Sequence, residues 1–127
     1  MSREPFDSRI AELAAAICER TPDDSLAGFL NAEYGPRSEW FAAVKAACEQ
    51  AIADGWMCDR EAGGIRYGRV TRPDTTAGPF SVDVVSMDDC RGPYHVHPEG
   101  EIDMVMPLDG DARFDGHGAG WVGYPPA

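Results

Sequence analysis

The sequence predicts an α+β fold: helices through residue 55, then a small antiparallel β region over residues 56–127, in one domain spanning the 127-residue chain. Three observations lead there. Apolar residues recur at three- and four-residue steps through the first part, and from Trp56 onward Gly, Pro and Asp punctuate short β-prone runs. No internal repeat, linker or low-complexity tract divides the chain, and a chain of this length buries roughly two-thirds of the surface its unfolded form exposes.

Helical patterning begins with Phe6, Ile10, Leu13, Ala14 and Ile17, which line one side of a helix whose first turn accepts Pro5. In "TPDD", Thr21 is the expected N-cap and Pro22 the first helical residue. The acids behind it suit the positive end of the dipole, and this second helix should run to about Tyr34. Ser38 is the expected cap of a third, "SEWFAAVKAACEQAIADG", with Phe41, Val44, Cys48 and Ile52 as its apolar stripe and Gly55 as its left-handed stop. The strand candidates are "GIRYGRV", "PFSVDVVSM", "PYHVH", "EIDMVMP", "ARFD" and "GWVGY". Short strands at this spacing indicate a sandwich or barrel rather than alternating β and α units.

Composition narrows the function. Hydrophobic residues make up 43% and charged residues 26%, which is ordinary for a globular domain and argues against a disordered chain. The net charge of −11 opposes nucleic acid, whose binders gain affinity by releasing counterions to clustered Lys and Arg. Arg60, Arg66, Arg69 and Arg72 do gather in one segment, suited to a small anion or to a solvated strand edge. No apolar run nears the ~20 residues a bilayer demands, and the N-terminus lacks a signal core, so a cytoplasmic protein with no membrane partner is expected. Cys18, Cys48, Cys58 and Cys90 show no CxxC spacing and should remain thiols in that compartment; Cys18 and Cys48 fall on apolar stripes.

The chemistry concentrates in "GPYHVHPEGEIDMVMP", residues 92–107, which holds two of the three histidines. Residues two apart in a strand point to one face, so His95 and His97 project together if "PYHVH" is extended. Beyond the "PEG" turn, Glu101 and Asp103 share a face while Ile102, Met104 and Met106 share the other. Two imidazoles and a carboxylate can then converge. Burying such a set costs several kcal/mol unless something organises its charge. A divalent cation would do so, and Fe, Mn, Ni and Zn all accept these donors. The other reading is a solvated strand whose histidines titrate normally.

"HVHPEGE", His95 to Glu101, resembles the first cupin motif, in which HxH, three residues and Glu lie on adjacent strands of a β-barrel and bind a metal. The usual glycine position is Leu108, with Gly110 two further on. "HPEGEIDMVMP" and "FDGHGAGWVGYPP", behind a helical N-terminal region, resemble more narrowly the bacterial 4-hydroxylaminobenzoate lyase family, small cupins of nitroaromatic degradation. That resemblance implies N-terminal helices packed on a small cupin-type antiparallel barrel and conversion of 4-hydroxylaminobenzoate to protocatechuate and ammonia. It also implies His95, His97 and Glu101 as metal ligands.

In cupins a further histidine and the last strands follow a stretch like "GW…YPP". Here the chain stops at Ala127, so the expected barrel is open to being incomplete, and exposed strand edges favour a homodimer. His117 reads as a loop histidine rather than a substitute ligand. For the reaction, Glu101 and Asp103 are the catalytic candidates, Asp103 as proton shuttle or as a partner orienting a histidine. Arg66 or Arg69 would meet a substrate carboxylate, and Tyr94 or Trp121 would stack on the aromatic acid's ring. A cupin dioxygenase or isomerase, and a non-catalytic ligand-binding cupin, are the alternatives.

Overall fold

The computed structural model describes residues 3–21, 23–72, 75–87, 100–108 and 112–124. Three helices precede five strands: α1 (Glu4–Ile17), α2 (Asp24–Glu33), α3 (Glu39–Asp54), β1 (Arg60–Ala62), β2 (Ile65–Thr71), β3 (Val82–Ser86), β4 (Glu101–Val105) and β5 (Gly120–Tyr124). The α+β class is therefore as expected. Among the described residues no helix is long and apolar enough to cross a membrane.

The expected barrel does not appear in the described strands. They form two separate antiparallel ladders, β1–β2–β3 and β4–β5. "PYHVH" lies outside the described residues, and in "ARFD" Phe114 makes only an isolated bridge to His117 around a two-residue turn. Compact packing divides the chain into one unit of residues 1–18 and 46–94 and another of residues 19–45 and 95–127. Each combines helix and strand, so the switch from helix to strand after Asp54 is a change of element type and not a seam between units.

In the first unit, α1 buries Phe6, Ile10, Leu13, Ala14 and Ile17, the stripe the periodicity predicts, and Pro5 lies in its first turn. Phe6 meets Trp56 edge-on at 6.4 Å, and the Arg3 guanidinium covers the Trp56 ring at 4.8 Å while donating to the Val70 carbonyl at 2.8 Å. The β1–β2 hairpin turns at Gly63 and Gly64, both at positive φ, the conformation a two-residue turn matched to strand twist requires. Cys48, Met57 and Cys58 are buried, and the Cys58 thiol donates to the Val84 carbonyl at 3.5 Å.

The second unit holds α2, β4, β5 and the first turns of α3. Helix α2 starts later than "TPDD" suggested. Its cap is Asp23, whose carboxylate accepts from the Leu26 N–H at 2.9 Å, and an Asp with extended backbone does this as well as Thr. At the entry to α3, Ser38 Oγ accepts from the Phe41 N–H at 3.1 Å, and Gly55 ends the helix at φ +89°. Leu26, Ala27, Leu30, Trp40, Phe41, Val44, Val105 and Trp121 are buried.

Candidate active site

The second unit positions the acidic residues through the β4–β5 pair. Glu101 lies opposite Tyr124, Asp103 opposite Val122 and Met104 opposite Trp121. In an antiparallel pair opposed residues share a face and neighbours alternate. Glu101, Asp103, Val122 and Tyr124 therefore stand on one side, and Ile102, Met104, Trp121 and Gly123 on the other. Gly100, at φ +86°, brings the chain into β4 immediately before Glu101.

Helix α2 holds the outer edge of this pair. The Trp121 N–H donates to Asn31 Oδ1 at 2.8 Å, and Asn31 Nδ2 donates to the Trp121 carbonyl at 3.0 Å. One side-chain amide thus completes the hydrogen bonding of one strand residue, as a neighbouring strand would. Gly123 allows the same approach, since a Cβ there would come within 2.3 Å of the Asp23 carbonyl oxygen. The Trp121 indole donates to the Tyr34 carbonyl at 3.0 Å and packs on Trp40 at 5.8 Å, and Trp40 meets Tyr34 edge-on at 5.3 Å. These contacts anchor β5 and leave its other face to the polar groups.

On that polar face Asp103 is pushed up to about 8, first by burial, then by a hydrogen bond with Glu101 and the charges of Glu101 and Asp115. A carboxyl so placed holds a proton at neutral pH. Asp115 arrives by a short turn: Phe114 and His117 exchange backbone hydrogen bonds at 2.8 Å each, and the central Asp115 and Gly116 have φ of +50° and +79°. Asp-Gly is a favoured pair for this turn because both tolerate the left-handed region. The turn delivers Asp115 to Tyr124, whose hydroxyl donates to Asp115 Oδ2 at 2.8 Å. Burial and Asp115 together raise the Tyr124 phenol above its ordinary range.

The residues singled out from sequence separate as follows. Glu101 and Asp103 come together on one face. Tyr94, His95 and His97 lie outside the described residues, as does Cys90. Trp121, expected to stack on a substrate ring, is buried at 7% exposure on the opposite face, with its ring on Trp40. Arg66 and Arg69 are on β2 of the first unit. Arg66 is exposed, and Arg69 makes a two-pronged ion pair with Asp83 across the strands at 2.8 and 3.1 Å. His117 is exposed at the closing position of its turn. Of the thiols, Cys18 is exposed, while Cys48 is buried and pushed up to about 12, chiefly by that burial.

Among the described residues no three His, Cys, Asp or Glu side chains are grouped to hold a metal ion. The donor chemistry of the β4 face nonetheless suits one. Two carboxyl groups held close enough to share a hydrogen bond retain a proton that a divalent cation would displace. Periodicity does not reveal Tyr124 or Asp115 as members of this face. Their signals are local, the Asp-Gly turn pair and a tyrosine ending an alternating strand, and only strand register joins them to Glu101.

The family model described as PnbB, 4-hydroxylaminobenzoate lyase, matches residues 8–127. A 4-hydroxylaminobenzoate lyase of Nocardioides sp. (strain LMS-CY) is 38% identical over 117 residues, covering 85% of this chain and 69% of that protein. A 4-hydroxylaminobenzoate lyase of Pseudomonas putida is 32% identical over an alignment of 132 residues, covering 91% of this chain and 75% of its own length. No solved structure matches the chain. With the match running through both units and across the acidic strand pair, the chain belongs to the 4-hydroxylaminobenzoate lyase family and is a lyase.

Proposed function

We propose that this lyase acts on 4-hydroxylaminobenzoate, the compound its relatives are named for, and that Glu101 and Asp103 lie at its reacting centre. The observation that carries the reading is the pairing of these two carboxyl groups on the polar face of β4, in a chain whose relatives share one named activity. The overall change takes up one water, breaks the N–O bond, the C–N bond and the neighbouring ring C–H bond, forms two ring C–O bonds and releases ammonia, which carries the ring proton away, leaving protocatechuate. Atoms balance without an external oxidant, because the hydroxylamino nitrogen is reduced as the ring is oxidised.

This change needs proton delivery to a departing oxygen and then to a departing nitrogen. Asp103 suits that role: its carboxyl keeps a proton near neutral pH and Glu101 accepts a hydrogen bond beside it. His95, His97 and Glu101, on the cupin-type arrangement the sequence resembles, are the residues that would hold a divalent metal. Bound there, a metal supplies Lewis-acid polarisation of a substrate oxygen or of a water.

The test incubates purified protein with 4-hydroxylaminobenzoate and quantifies both products. Equal amounts of ammonia and protocatechuate are expected, with loss of both after chelation and after Glu101→Gln. No ammonia from the metal-replete protein would overturn the substrate. Unchanged release after complete chelation would overturn the metal.

A further inference from the structure

The Tyr124–Asp115 pair belongs to the polar face but has no part in the scheme above. Tyr124 lies directly opposite Glu101, and its single hydroxyl proton is donated to Asp115 Oδ2 at 2.8 Å. A phenol has one O–H and two lone pairs. With the proton engaged, the oxygen meets an incoming group only as an acceptor. Asp115 accepts that hydrogen bond through Oδ2 and so fixes the direction in which the Tyr124 hydroxyl points. Toward a ligand group the Tyr124 oxygen therefore offers a lone pair, which a ligand N–H or O–H can meet.

We propose that Tyr124, oriented by Asp115, is a specificity-determining residue that accepts a hydrogen bond from the nitrogen substituent of the aromatic substrate. The inference rests on the function proposed above and adds the discrimination that the site performs. Hydroxylamino and amino groups carry N–H donors; nitro and nitroso groups carry none. A ring bearing one of the latter would set oxygen lone pairs against the Tyr124 oxygen and nearby carboxyl groups. A site that hydrogen-bonds a substrate N–H or O–H rejects analogues lacking it, because its own polar groups are left without partners. Asp115 is a positioning residue: it acts by fixing where the Tyr124 proton points, and the Asp-Gly turn fixes Asp115 in turn.

The experiment is calorimetric titration of the full-length protein with 4-aminobenzoate and with 4-nitrobenzoate. Neither carries the N–OH group, so neither is converted. The unsubstituted protein should bind 4-aminobenzoate about tenfold more tightly, the worth of one good hydrogen bond. Tyr124→Phe should bring the ratio close to one by weakening 4-aminobenzoate. Asp115→Asn keeps a residue favoured in the turn and supplies an amide donor, so it should preserve folding by circular dichroism while improving 4-nitrobenzoate. An unchanged ratio in Tyr124→Phe, no preference in the unsubstituted protein, or no binding of either ligand would overturn the inference. Ammonia release from 4-hydroxylaminobenzoate with no change in ratio removes this inference alone. The expected ratios without ammonia release remove the proposed reaction and leave the discrimination standing.

Discussion

Trp121 separates two roles that look alike in sequence, a ring that stacks on substrate and a ring that holds a strand in place. The structure favours the second strongly enough to give a number. Trp121→Phe keeps an aromatic ring on Trp40 but removes the indole N–H that donates to the Tyr34 carbonyl at 3.0 Å. Loss of that bond at a buried site costs about 1–2 kcal/mol. The smaller ring leaves a cavity that costs roughly 1 kcal/mol more. Together these predict a destabilisation of about 2–3 kcal/mol, and for a chain of this size a fall in Tm of about 6–12 °C. The KM for 4-hydroxylaminobenzoate, measured well below the new Tm, should stay within about twofold, because the ring lies on the face opposite Glu101. Urea denaturation supplies the stability and steady-state kinetics the KM. A stability change under about 0.5 kcal/mol together with a tenfold rise in KM would refute the packing argument and restore Trp121 to the substrate.

Three further outcomes follow from the same geometry. Asp103 titrates in the folded state at about 8 instead of the ordinary 3.8, so between these values the folded protein holds a proton the unfolded chain has released, and this contribution to stability declines as pH rises across that window. Asp103→Asn should flatten that decline, gaining roughly 1–3 kcal/mol at pH 8 in metal-free protein after allowance for partial solvent screening, and the metal-replete variant should lose ammonia release; denaturation at pH 5 and pH 8 measures the stability. Gly123→Ala forces a methyl group to within 2.3 Å of the Asp23 carbonyl oxygen, and a loss of about 2 kcal/mol or more is expected by thermal denaturation. In native protein at pH 8, alkylation followed by mass spectrometry should find exposed Cys18 modified before Cys48, which is buried, raised to about 12 and protected until unfolding.

Local signals carried most of the helical half. The stripe of α1, the Ser38 cap of α3 and its stop at Gly55 are all readable in sequence because each depends on residues within one or two turns. The start of α2 was less so. Thr21 and Asp23 are both competent caps, and only the backbone decides that Asp23 reaches the Leu26 N–H. Strand β1 has three exposed residues and no alternation, yet Gly63-Gly64 marks its hairpin. In "ARFD" the Asp115-Gly116 pair outweighs β propensity and makes a turn.

The site was legible to the same degree. Period-two alternation is enough to put Glu101 and Asp103 on one face, whereas the partner strand and its register are non-local. Tyr124 meets Asp115 across nine residues, and Asn31 meets Trp121 across ninety, so neither contact leaves a pattern in a short window. Barrel closure is non-local in the same way: of the runs counted toward it, "ARFD" makes a turn, and "PYHVH" lies outside the described residues.

The central claim is that the imidazoles of His95 and His97 and the carboxyl of Glu101 hold one cation beside Asp103. Titration of metal-free protein with Co(II), followed by its visible absorption, tests this directly. The account predicts saturation at one ion per chain, lost in both His97→Ala and Glu101→Gln while their circular dichroism stays that of the unsubstituted protein. Equal saturation in those variants, or no Co(II) uptake by the unsubstituted protein, would contradict it.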